Sequence, residues 1–112
     1  MTTEEIINSF KDQTGISVIR ASKEGVLKEY SVETEYPEIL GAMLATVYGA
    51  SVTAIIDFSE GEDPIVTIQS GNHHIMIVSS RNDIVAAFIP NGNVIPENEI
   101  RLLAEKLFAV EN

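Results

Sequence analysis

The amino-acid sequence predicts an α/β sandwich, in which a five-stranded antiparallel sheet lies between two terminal helices and one central helix. Three observations lead there. Apolar periodicity gives the element order α-β-β-α-β-β-β-α. Two strand segments, His73 to Ser79 and Ile84 to Ile89, are apolar on both faces and so need cover above and below. The helical stretches are long enough to supply that cover, and 112 residues suit one domain, residues 1–112.

Thr2 to Glu5 reads as a capping box opening a short helix with Ile6, Ile7 and Phe10 inward, and Gly15 ends it. Ile16 to Ser22 alternates, with Ile16, Val18 and Arg20 on one face and Ser17, Ile19 and Ala21 on the other. Lys23-Glu24-Gly25 turns the chain into Val26 to Val32, whose mixture of charged and apolar positions suits an edge strand.

Pro37 starts the longest element, a helix over Glu38 to Ile56. Leu40, Met43, Leu44, Val47, Ser51 and Ala54 share one of its faces, the face expected to cover the sheet. Gly41, Ala45 and Gly49, flanked by Tyr48, Val52 and Ile56, form a second uncharged face. A glycine inside a helix costs about 0.5–1 kcal/mol relative to alanine. Close approach of a helix from a second copy is therefore the expected use of this face, in preference to packing on the chain's own sheet.

The acidic loop Asp57 to Pro64 (DFSEGEDP) leads into a meander of Ile65 to Gln69, His73 to Ser79 and Ile84 to Ile89. After the breakers Pro90-Asn91-Gly92-Asn93 and Pro96, Glu97 to Val110 forms the last helix, with Ile100, Leu103, Ala104 and Leu107 inward.

Composition narrows the function classes. At 45% hydrophobic and 21% charged the chain is globular in type. Seventeen acidic against seven basic residues give a net charge of −10 with no basic run, which disfavours nucleic acid and anionic membrane surfaces and suits an electropositive protein partner. Cysteine is absent, so thiolate chemistry and disulfides are excluded. Met1-Thr2-Thr3-Glu4-Glu5 has no signal-peptide character and no apolar run is expected to span a membrane, so no direct membrane insertion is expected and the cytoplasm is the expected compartment.

No motif for catalysis is present: neither a phosphate-cradling glycine loop nor a nucleophile elbow occurs. The expectation is a non-enzyme with no metal and no cofactor. His73 and His74 are neighbours on a strand, so they point to opposite faces and read as structural or surface residues. Asp57, Ser59, Gly61 and Asp63 alternate as in a calcium loop, but position twelve is Ile68 where such a loop needs Glu. Arg81, on a turn, is the best-placed candidate for an arginine finger, although a solvated arginine is the expected reading.

The chain resembles the roadblock/dynein light chain (LC7) family. The resemblance rests on element order, the hairpin turn at Gly25 with Val26-Leu27, the small-residue-rich helix Glu38 to Ile56, the segment IVTIQSGNHHIMIV, and IVAAFIPNGNV before the last helix. It implies a profilin-like fold and a homodimer in which third strands pair edge to edge and central helices pack. It also implies docking of a small Ras-like GTPase or of motor and scaffold subunits. The expected dimer interface is Gly41, Ala45, Tyr48, Gly49, Val52, Ile65, Val66, Thr67 and Ile68. The expected partner-binding residues are Glu38, Thr46, Thr53, Glu60, Glu62 and Asp63. The leading reading is a GTPase adaptor that modulates the nucleotide cycle. The alternatives are a structural subunit with no effect on a GTPase, and a small ligand-binding domain of profilin or longin type.

Overall fold

The computed structural model describes residues 1–58, 63–90 and 96–111. Its elements are α1 (Thr3–Thr14), β1 (Ser17–Ser22), β2 (Leu27–Tyr30), α2 (Pro37–Ile55), β3 (Val66–Ser70), β4 (His73–Ser80), β5 (Asp83–Ile89) and α3 (Glu97–Glu111). The order is the one the sequence predicts, and the bounds differ from the expected ones by a few residues at most. All strand pairs are antiparallel in the order β2-β1-β5-β4-β3, so the mixed-polarity β2 sits at one edge and β3 at the other.

Local chemistry sets the ends of α1. Thr2 accepts from the Glu5 amide at 3.1 Å while Glu5 accepts from the Thr2 amide at 3.1 Å, closing the capping box. Gly15 ends the helix in the left-handed conformation, φ 75°, and its amide donates to the Lys11 carbonyl at 2.8 Å. The turn from β1 to β2 needs glycine for two reasons: Gly25 has φ 97°, and a side chain there would press on the Ala42 backbone of α2.

Period-two alternation sorts the strand residues into two cores. Val18, Met76, Val78, Val85, Ala87 and Ile89 join Ile6, Ile7, Ile100, Leu103, Ala104 and Leu107 beneath α1 and α3. Ile19, Ala21, Ile77, Ile84 and Ala86 pack on the other face under Leu44, Ala45 and Tyr48 of α2. The inward stripe expected for α3 is the one observed.

The rotation of α2 differs from expectation. Its buried residues are Pro37, Gly41, Leu44, Ala45 and Tyr48, whereas Met43 and Val47 are 58% and 37% exposed. The helix is turned by about one residue step, roughly 100°. Gly41 lies on Leu27, Ala21 and Ile19, so small residues of helix and sheet meet and bring the two close. Ile39, Met43 and Val47 are left outside.

Candidate interaction surface

Beyond the sheet-facing side, α2 offers two rows to solvent, and neither carries a charge from Ile39 onward. The first is apolar: Ile39 and Met43 are 59% and 58% exposed, Val47 follows, and Tyr36 before the helix and Phe58 after it are also exposed. The second is small and hydroxylic, with Ala42, Thr46, Gly49 and Thr53 all exposed. Thr46 and Thr53 donate to the Ala42 and Gly49 carbonyls at 2.9 and 3.2 Å, so their hydroxyls are satisfied within the helix and their methyls are free to face a partner. At the start of α2, Thr34, Tyr36, Ile39, Leu40 and Met43 line an apolar groove of about 380 Å³.

At 19 residues α2 is also long and apolar enough by composition to cross a membrane, contrary to expectation. Thr46, Ser51 and Thr53 are spaced through it, so it holds no uninterrupted apolar run. Only 22% of the stretch is buried inside the chain, which leaves most of its surface for an outside contact.

The expected interface residues divide. Gly41, Ala45 and Tyr48 are buried on the chain's own sheet, so they present no surface to another helix. Val52 is half-buried and packs on the same core. Tyr48 donates to the Pro64 carbonyl at 3.2 Å, and burial pushes its phenol pKa up. Gly49 is exposed with open space around it. Ile65 and Val66 are half-buried, against the terminal-helix core and the α2 core respectively, while Thr67 and Ile68 are exposed along the β3 edge.

Of the expected partner-binding residues, Glu38, Thr46 and Thr53 are exposed on α2. Asp63 is exposed and accepts from the Ser79 hydroxyl at 2.8 Å. Glu60 and Glu62 lie outside the described residues, as do Ser59 and Gly61 of the calcium-like spacing. Among the described residues no group of three metal-binding side chains converges. His73 is exposed and His74 half-buried on opposite faces of β4. Arg81 has φ 59° in the β4–β5 turn, and its guanidinium stacks over Phe108 of α3 at 5.0 Å. It is held against its own chain, on the α3 side of the sheet and away from α2.

Sequence reasoning placed Arg20 on the correct face of β1 but missed its partners. Arg20 is 1% exposed. It donates to Asp83 Oδ2 through Nε at 3.1 Å and Nη2 at 2.7 Å, to Glu29 Oε1 at 2.8 Å, and to Glu111. Lys28 donates to Asp83 Oδ2 at 3.0 Å and to Glu111 at 3.2 Å. Its Nζ also lies 2.8 Å from Asp83 Oδ1, out of line for a hydrogen bond, so that oxygen is neutralised by charge alone. A bulge makes this possible: Arg20 pairs with Glu29 and Ala21 with Leu27, so Lys28 is the extra residue and joins Glu29 in reaching the cluster. Burial by itself would raise the Asp83 carboxyl, but hydrogen bonds from Lys28 and Arg20 outweigh it and hold the group below its ordinary range. The one available signal was the lone arginine in a strand that is otherwise uncharged.

The Roadblock/LC7 domain family model matches residues 2–89 of the chain. No curated protein matches it. Among solved structures, a Roadblock/LC7 domain from Streptomyces avermitilis superposes with a TM-score of 0.84 at 12% identity, covering 97% of each chain. MglB from Myxococcus xanthus gives 0.74 at 13% identity, over 97% of this chain and 90% of that one. Profilin II from Acanthamoeba castellanii gives 0.66 at 19% identity, over 99% and 100%. At such identities these structures speak to the fold, and the family match, which covers most of the sequence and agrees with its element order, settles kinship: the chain belongs to the Roadblock/LC7 domain family.

Proposed function

We propose that the chain is a homodimeric cytoplasmic adaptor that docks a small Ras-like GTPase and modulates its nucleotide cycle. Roadblock/LC7 domains are non-catalytic adaptor and regulatory domains, so the chemistry belongs to the partner. The observation that carries the reading is the outward side of α2, uncharged from Ile39 onward and largely uncovered. An apolar surface of this kind on a chain of net charge −10 marks a protein contact. The apolar row from Ile39 to Val47 and the open β3 edge with Thr67 and Ile68 serve self-association. The row of Thr46, Gly49 and Thr53 then stays outward on the pair and takes the GTPase, with Glu38 at its start, and the exposed Asp63, bonded to Ser79 of β4, adds negative charge. Glu60 and Glu62 add negative charge that steers a basic patch on the partner.

A pull-down of small GTPases loaded with a GTP analogue or with GDP tests the reading. Retention that depends on the nucleotide supports it. Equal retention in both states points to a structural subunit, and no retention across the panel removes the GTPase from the proposal.

A further inference from the structure

On the face of the sheet opposite α2, a groove of about 230 Å³ lies between α1 and α3. Its floor is apolar: Ile6 and Leu103 are buried and Phe10 is half-buried. Ser9 and Gln13 of α1 and Lys106 of α3 supply its polar lining. Leu102 and Val110 stand four residues to either side of Lys106, so they are its neighbours on the helix surface. They are 60% and 45% exposed, which carries the apolar surface out beyond the groove. Among the described residues no carboxylate lines it.

The other cations show what sets Lys106 apart. Arg20 and Lys28 are held by Asp83, Arg81 lies over Phe108, Arg101 bonds Glu97 at 3.3 Å, and Lys11 donates to the Ser31 carbonyl at 2.8 Å. Lys106 has no partner among the described residues. On a chain of net charge −10, an unpaired lysine beside an apolar floor makes a locally positive spot that selects a carboxylate.

We infer that this groove docks an amphipathic helix of a second protein partner. The apolar residues of that helix, at i, i+3 or i+4 and i+7, lie on Phe10, Leu103 and Leu102, and its Asp or Glu pairs with Lys106. The groove is smaller than the about 300–1,000 Å³ of small-molecule sites, so it suits the side chains of a macromolecule. Its walls are two helices and offer no strand edge. An extended segment would therefore leave backbone amides unpaired there, whereas a helix satisfies its own. The site goes beyond the proposed GTPase contact: it lies on the opposite face, so both surfaces can be occupied at once and the adaptor bridges two partners.

A library of helices displayed on a rigid helical scaffold, with one face randomised, tests this. It is selected on the full chain after clearing on Leu102→Glu, which removes helices that dock elsewhere. Leu102 and Lys106 are both exposed, so their variants keep the circular dichroism of the parent. Selected helices should carry the apolar spacing with a carboxylate beside it. Measured one to one in solution, they should bind Leu102→Glu at least about tenfold more weakly than the parent. They should bind Lys106→Glu several-fold more weakly, and recover on that variant when their own carboxylate is changed to Lys. Val47→Glu, on the α2 face, should bind them as the parent does. A selection that yields no helix, helices indifferent to Lys106→Glu, or binding lost in Val47→Glu overturns the inference.

Discussion

Replacing Arg20 by Met removes the guanidinium and keeps the length of the side chain. The Arg20 and Asp83 side chains are 2% and 7% exposed, so the lost pair is a buried one. Removing one partner of such a pair costs about 3–5 kcal/mol, because the other charge stays buried without its counterion. Lys28 still neutralises Asp83, which places the expected loss near the lower end, about 3 kcal/mol. For a chain of this size that lowers Tm by about 12 °C or more. The pH dependence has a definite sign. Asp83 is held below its ordinary pKa, so its contribution is present above the unfolded value near 4 and disappears as pH falls through the folded value. Lys28 is held above its ordinary pKa, so its contribution is present at neutral pH and disappears only as pH rises through the folded value. Urea titrations of the parent and Arg20→Met at pH 7 and pH 3 measure the difference, which should be large at pH 7 and shrink at pH 3. A loss under about 0.5 kcal/mol at pH 7, or one independent of pH, refutes a structural role for the cluster.

Gly25→Ala should cost at least about 1 kcal/mol in thermal or chemical unfolding, since it strains φ 97° and presses on the α2 backbone. Gly49→Leu should leave the dimer mass unchanged and raise stability by up to about 1 kcal/mol, because the position is open and glycine is a poor helix former. A loss of dimer in that variant would place Gly49 inside the dimer interface. Arg81→Ala should leave any stimulated GTP hydrolysis within a few-fold of the parent, since its guanidinium is stacked on Phe108. A loss of several orders of magnitude with binding intact would make Arg81 an arginine finger.

Most of the fold was legible because its signals are local. The Thr2 capping box, Gly15, Gly25 and the two-sided strands β4 and β5 each carry their own instruction in sequence. The rotation of α2 was not legible. A polar stripe normally tells which side of a helix faces water, and this helix has no charge beyond Glu38 to mark one. Size misled as well: the bulky row was assigned to the sheet, whereas Ala21 of the sheet accepts the close approach of Gly41, and Ala45 packs in the same core. As a result Gly41, Ala45 and Tyr48 moved from the expected interface to the core, while Thr46 and Thr53 stayed outward as expected. The Arg20 cluster draws on β1, β2, β5 and the end of α3, and its geometry depends on a bulge that no local pattern announces.

Self-association through α2 is tested most directly by the mass in solution of the parent and of Val47→Glu, measured by light scattering at micromolar concentration. The parent should weigh about twice the 12.2 kDa chain. Val47→Glu should weigh as one chain with its circular dichroism unchanged, because the residue is exposed in the single chain and buries a charge only in the pair. A parent of 12.2 kDa, or a Val47→Glu variant that remains a dimer, contradicts the assignment of this face.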